Sequence, residues 1–196
     1  MRILSINSAP LAAPASLFPS RMVTICGAAA WTIGVHFAAQ MACEYKQSLY
    51  LCGDNRFDPY AVARFTKARQ KSPEEALRRI LVARAFTAYQ LDELIHRLNP
   101  EAAYRVVIIS GVCTAFFDED VIRNDAARLF YRSLWRLADL ARRGLTLLLT
   151  QSETPKRSER AHFLNDLCRA SDELIRLDGE QAPTLEHLRS RLMIAE

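Results

Sequence analysis

The stretch RMVTICGAAAWTIGVHFAAQMACEYK, residues 21–46, decides the fold. Arg21–Cys26 is a short apolar run closed by Gly27, which suits a buried strand. Val35–Lys46 then places its apolar residues at helical spacing. A strand, a glycine turn and a helix in direct succession are the opening of an α/β unit.

Working outward, the same alternation continues. Ser48–Leu51 reads as a second strand, closed by the turn Gly53-Asp54-Asn55. Pro59–Gln70 reads as a helix with Asp58 as its N-cap, and Ser72-Pro73-Glu74-Glu75 repeats that start signal. Ile80–Ala85 is a third strand, and Tyr89–Leu98 a helix stopped by Asn99-Pro100. Tyr104–Ile109 is the most hydrophobic strand and is expected inside the sheet. A long helix over Val121–Arg143 ends at Gly144, and Leu145–Thr150 is a fifth strand. Arg160–Ser171 is expected to be helical, with Glu173–Leu177 and Thr184–Met193 as short closing strands at one edge. Met1–Pro19 is interrupted by Pro10 and Pro14 and reads as an irregular leader, leaving residues 20–196 as one domain. Strands alternating with helices imply a mostly parallel twisted sheet covered on both faces.

Composition narrows the class. Half of the residues are hydrophobic and 24% are charged, as in ordinary globular proteins. The longest apolar run, Val106–Phe117, is shorter than the ~20 residues of a membrane-spanning helix, so no membrane role is expected and the location is expected to be cytoplasmic. Five cysteines in no CxxC spacing, with no histidine pair beside them, read as reduced thiols and not as a zinc site. The net charge of +4 is compatible with nucleic acid without requiring it. In the long helix, Phe130, Leu134, Leu137 and Ala141 share one face, and Arg128, Arg132, Arg136 and Arg143 the opposite one. The arginine stripe is read as a solvated face.

A phosphate-binding loop has the form GxxxxGK[ST] between a strand and a helix, with backbone amides and a lysine facing the phosphates. The context is present at Gly27, but either Ile33 or Gly34 stands where the lysine belongs, and Trp31 occupies the loop. The apolar run Val106–Ile109 ends in Ser110, where a magnesium-directing aspartate would be needed. Neither a metal site nor a cofactor is expected.

These stretches, with several others, follow one another as in a known family. Leu49–Pro59 resembles the second-strand segment of RecA/RadA-type recombinases, where Asp54 falls at the place of the acid that positions the attacking water. Val82–Gln90 is similar to the family's "ARAF…HQ" signature, with Tyr89 replacing histidine. Thr150-Gln151 resembles the strand end where the family's glutamine senses the γ-phosphate. Phe163–Cys168 and Ala170–Leu177 resemble the helix and strand beyond the DNA-binding loop. The resemblance spans Arg21 to about Leu177 and implies a RecA-like, P-loop NTPase-type core with degenerate nucleotide positions at Gly27, Trp31, Ile33, Gly34, Asp54, Ser110 and Gln151, and with no catalytic residues.

What the resemblance implies for function is an inactive relative in DNA recombination and repair. It would act as a binding or assembly partner of a recombinase, a repair polymerase or an accessory protein, as a homo- or hetero-oligomer. Single-stranded DNA contact would fall to Lys156, Arg157 and Arg160 after Gln151. Two alternatives stay open. One is a protein-interaction inhibitor or polymerase accessory similar to SulA, the SOS-response division inhibitor, or to ImuA. The other is a residual ATP-binding protein that draws a cation such as Arg84 from outside the loop.

Overall fold

A computed structural model describes residues 2–6, 22–44, 46–104, 106–152 and 159–177. Seven strands form one sheet: β1 (Arg2–Ile6), β2 (Met22–Cys26), β3 (Ser48–Cys52), β4 (Ile80–Arg84), β5 (Val106–Ser110), β6 (Thr146–Gln151) and β7 (Glu173–Leu177). Their order is β1-β7-β2-β6-β5-β3-β4. Every neighbouring pair is parallel, as crossover helices require. The helices are α1 (Ala30–Cys43), α2 (Pro59–Lys67), α3 (Pro73–Arg78), α4 (Ala88–His96), α5 (Arg123–Arg142) and α6 (His162–Ala170). A 3-10 turn covers Thr114–Phe117 between β5 and α5.

The two faces of the sheet carry separate cores. Alternate strand residues point to opposite sides. Val23, Ile25, Tyr50, Ile108 and Leu148 pack under α1 and α2, together with Ile33, Phe37, Met41, Val62 and Phe65. Leu51, Val107, Ile109, Leu147 and Leu149 pack under α4, α5 and α6, with Leu91, Ile95, Phe130, Leu137 and Phe163. The result is a three-layer α/β/α arrangement. All five residues of β5 are buried, as expected for the most hydrophobic strand. The predicted apolar face of α5 is buried at Phe130, Leu134, Leu137 and Ala141.

Local signals placed the helix starts. The Asp58 carboxylate accepts from the Tyr60 N–H at 2.8 Å with Pro59 at the first helical position. Ser72 and Thr87 cap α3 and α4 through the Glu75 and Gln90 amides. Three expectations are corrected. Residues 2–6 are not irregular; they form the edge strand β1, paired in parallel with β7. Because β1 lies outside it, the C-terminal strand β7 is interior, between β1 and β2. And α1 begins at Ala30, five residues before the expected start at Val35. The closing strand expected over Thr184–Met193 lies outside the described residues. Among the described residues, no helix is long and apolar enough to cross a membrane.

The arginine stripe of α5 is largely engaged within the protein. Arg128 pairs with Asp125 at 3.0 Å. Arg136 donates to the Leu98 carbonyl at 2.9 Å and pairs with Asp139. Arg132 grips Asp92 of α4, a fully buried carboxylate that also accepts from Ser133 Oγ at 2.9 Å. This clamp joins α4 to α5 through a charge whose burial would be costly without such partners.

Candidate functional site at the C-terminal edge of the sheet

In parallel α/β sheets, ligand sites form beyond the carboxyl ends of the strands. Here β2, β6, β5 and β3 are successive neighbours, and their ends carry Gly27, Gln151, Ser110 and Asp54. Residues far apart in the chain, predicted from separate motifs, therefore share one edge.

The Gly27 end is closed. With α1 starting at Ala30, the connection from β2 is only Gly27–Ala29, and no eight-residue cradle is formed. The phosphate-cradle context expected over residues 27–35 is thus corrected: Ile33 and Gly34 lie inside the helix. Ile33 is 2% exposed and packs on the sheet. Gly34 permits close approach, since a Cβ there would meet Ile108 Cγ2 at 3.2 Å and Thr150 Cγ2 at 3.3 Å. Trp31 is half-buried against the same core. Four amides at this end are already used. Gly27 N–H donates to the Gln151 carbonyl at 3.0 Å, and Ala30 N–H to the Gly27 carbonyl at 3.0 Å. Trp31 N–H donates to Ser152 Oγ at 3.2 Å, and Thr32 N–H to the Ala29 carbonyl at 3.1 Å.

The other three strand ends form a polar lattice. Ser110 Oγ donates to Asp54 Oδ1 at 2.5 Å, and the Arg56 N–H donates to the same oxygen at 3.1 Å. Gly53 N–H donates to the Ser110 carbonyl, and Gly111 N–H to the Thr150 carbonyl, each at 2.8 Å. Gly111 sits at φ +63° with its α-carbon turned toward Asp54; a Cβ there would lie 2.3 Å from Asp54 Cβ. Gln151 is buried, and its amide bridges to the segment after β5. It accepts from the Cys113 N–H at 2.9 Å and donates to Thr114 Oγ1 at 3.2 Å. Beneath this edge, burial pushes the Tyr50 phenol well above its ordinary pKa and the Cys52 thiol up to about 11. Both stay protonated and neither is a nucleophile at neutral pH.

Two of the cations considered for a phosphate, Arg84 and Arg160, are engaged elsewhere. Arg84, at the end of β4, donates to the Asn55 side chain. Four strand spacings separate β4 from β2, roughly 19 Å at ~4.8 Å each, so Arg84 does not serve the Gly27 end. Arg160 donates to the carbonyls of Phe116, Asp118 and Val121, the Val121 contact at 2.6 Å. It fastens the turn between β5 and α5, a structural role beside the DNA contact expected of it. Lys156 and Arg157 lie outside the described residues. Among the described residues, no group of three or more His, Cys, Asp or Glu side chains could hold a metal ion.

Several partners in this lattice escaped the sequence reading. Cys113, Thr114 and Ser152 carry no motif, because each acts through one contact with a residue distant in the chain. Asp92 had a readable signal: it stands among Ala88, Leu91 and Ile95 on the buried face of α4.

At the opposite edge of the sheet, β4 has no neighbour beyond it among the described residues. Leu81 and Val82 are exposed along it, and Phe86 (68%) and Tyr89 (47%) beside its end. No family model matches the chain, and no curated protein matches it.

Proposed function

We propose that this chain is a RecA/RadA-like, P-loop NTPase-type core that has given up nucleotide hydrolysis and acts as a binding or assembly partner in DNA recombination or repair. One observation carries the reading. The first amides of α1 and the Gly27 amide are satisfied within the protein, Ile33 is packed in the core, and a side chain at Gly34 would run into Ile108 and Thr150. A triphosphate at that end would meet no lysine from residues 27–34, and the Gly27, Ala30, Trp31 and Thr32 amides already have acceptors. The convergence of Gly27, Gln151, Ser110 and Asp54 on neighbouring strand ends supports descent from a nucleotide site. The bonds that Asp54 accepts from Ser110 and Gln151 from the Cys113 amide support their retention as scaffold.

The edge of β4, which has no neighbour beyond it among the described residues, supports a binding role. An unpaired parallel edge with exposed apolar side chains is suited to adding a strand from a partner. Isothermal titration with ATP and magnesium tests the first half: no binding heat is expected, and sub-micromolar binding or turnover overturns it. Capture by a purified recombinase or repair polymerase tests the second half. Capture is expected to fall at least tenfold in a Leu81→Lys/Val82→Lys variant whose melting midpoint matches the unsubstituted chain, since both positions are exposed. A division-filament protein captured in place of both would favour the inhibitor reading.

A further inference from the structure

We propose that Cys26 and Cys168 form a redox modification site, in which a hydroperoxide converts the two thiols to a disulfide that staples α6 to the end of β2. Cys26 is the last residue of β2 and Cys168 lies in α6; their sulfurs are 3.8 Å apart in a buried cluster with Leu174. Closing that gap to the ~2.05 Å of a disulfide needs a movement of about 1.8 Å, within the scope of side-chain rotation and a small shift of the helix.

The neighbourhood holds the pair in register. On the same face of β2, Thr24 Oγ1 and Ser171 Oγ are 2.6 Å apart, and Met22 N–H donates to Asp172 Oδ2 at 2.8 Å. Asp172 N–H in turn donates to the Met22 carbonyl at 2.9 Å. Alternate residues 22, 24 and 26 thus meet 172, 171 and 168 as three rungs, of which the third consists of two thiols. The thiols are not equivalent. The shared hydrogen bond lowers the Cys168 pKa and raises that of Cys26, and the nearby Arg176 guanidinium favours the thiolate at Cys168. Cys113, wholly buried, is pushed far above the ordinary thiol range.

The chemistry balances in two steps. The Cys168 thiolate attacks the peroxide O–O bond, giving Cys168 sulfenic acid and expelling hydroxide, or the alkoxide of an organic hydroperoxide. Cys26 sulfur then attacks the sulfenyl sulfur, its proton leaves with the expelled hydroxyl as water, and the S–S bond forms. The two thiols are oxidised by two electrons, and the peroxide is reduced. The bond requires no nucleotide, nucleic acid or partner. Its structural consequence is local: Cys26 pairs in register with Gln151, so the bond ties α6 to the β2–β6 strand pair.

The test uses the full chain, reduced, freed of reductant and exposed to hydrogen peroxide, followed by intact mass and peptide mapping with free thiols blocked. The expected product has lost two hydrogens and yields the linked Cys26 and Cys168 peptides. The same product is expected from Cys113→Ser, and no linked product from Cys26→Ser or Cys168→Ser. The melting midpoint is expected to rise on oxidation and to return on adding dithiothreitol. Oxygen addition without a cross-link, a link through another cysteine, or a bond that leaves the midpoint unmoved would overturn the proposal. Mapping on the unsubstituted protein decides the case even if a serine variant folds poorly.

Discussion

The β2–α1 connection and the ends of β3, β5 and β6 lie along the same edge of one sheet, yet they are built in opposite ways. The first is short and packed, with Ile33 and Gly34 drawn into the core under α1. The second is polar, with Asp54, Ser110 and Gln151 hydrogen-bonded across strands. What differs is where each group finds its partner. The packed end ties the Gly27 and Trp31 amides to Gln151 and Ser152 and fills its space with side chains. The polar end keeps the residue types suited to a ligand but turns them on one another. The contrast teaches that polar residues at a strand end can persist for folding, because a buried amide left without its acceptor is costly.

The most severe way to break this comparison is to restore the absent lysine. Ile33→Lys places an amine where Ile33 is 2% exposed, losing packing and burying an unpaired charge. A loss of about 4 kcal/mol or more is expected in urea denaturation, without any gain of ATP binding. A folded variant that binds ATP would show the packed end to be an open site. Next comes Gly111→Ala. Its positive φ and the 2.3 Å approach to Asp54 Cβ should together cost about 2–3 kcal/mol, read by the same melt.

Gln151→Leu sharpens the contrast by removing the acceptor of the Cys113 amide. A cost of about 1–3 kcal/mol is expected, with faster hydrogen exchange at Cys113 than in the unsubstituted chain. Asp54→Ala should cost about 1 kcal/mol, and Asp54→Asn less, because the amide oxygen still accepts from Ser110. Equal losses would mean that the carboxylate charge, and not the acceptor, holds the turn.

The smallest effect belongs to the packed side. His36, on α1, stacks on Phe65 at 5.7 Å between centroids. Burial lowers its pKa below 6.5, with Arg64 and Arg69 acting in the same direction. The folded state therefore favours neutral imidazole. Its contribution is present above the unfolded pKa near 6.5 and is lost as pH falls through the lower folded value. A His36→Phe variant is expected to flatten that slope in denaturation midpoints measured from pH 7 to pH 4.5.

Much of the fold was legible because its signals are local. Pro59 after Asp58, Pro73 after Ser72 and the stop at Asn99-Pro100 bound their helices by backbone chemistry alone. The start of α1 was misplaced because Ala28, Ala29 and Ala30 give no boundary signal, and Trp31 reads as well in a loop as in a helix. Strand β1 was missed because its pairing partner is β7, more than 160 residues away along the chain. Asp54, Ser110 and Gln151 were found as positions, but their ties to one another and to Cys113 were not.

By itself, the sequence determined the alternation of strands and helices, the two apolar faces and the absence of a lysine from residues 27–34. Periodicity, capping and charge are properties of neighbours along the chain, so they can be read there. Only the tertiary structure decided that the Gly27 and Trp31 amides are occupied, that Arg160 fastens a turn, and that Cys26 meets Cys168. Each of those depends on atoms brought together from distant segments, where the crossover path and packing of the helices fix the distance.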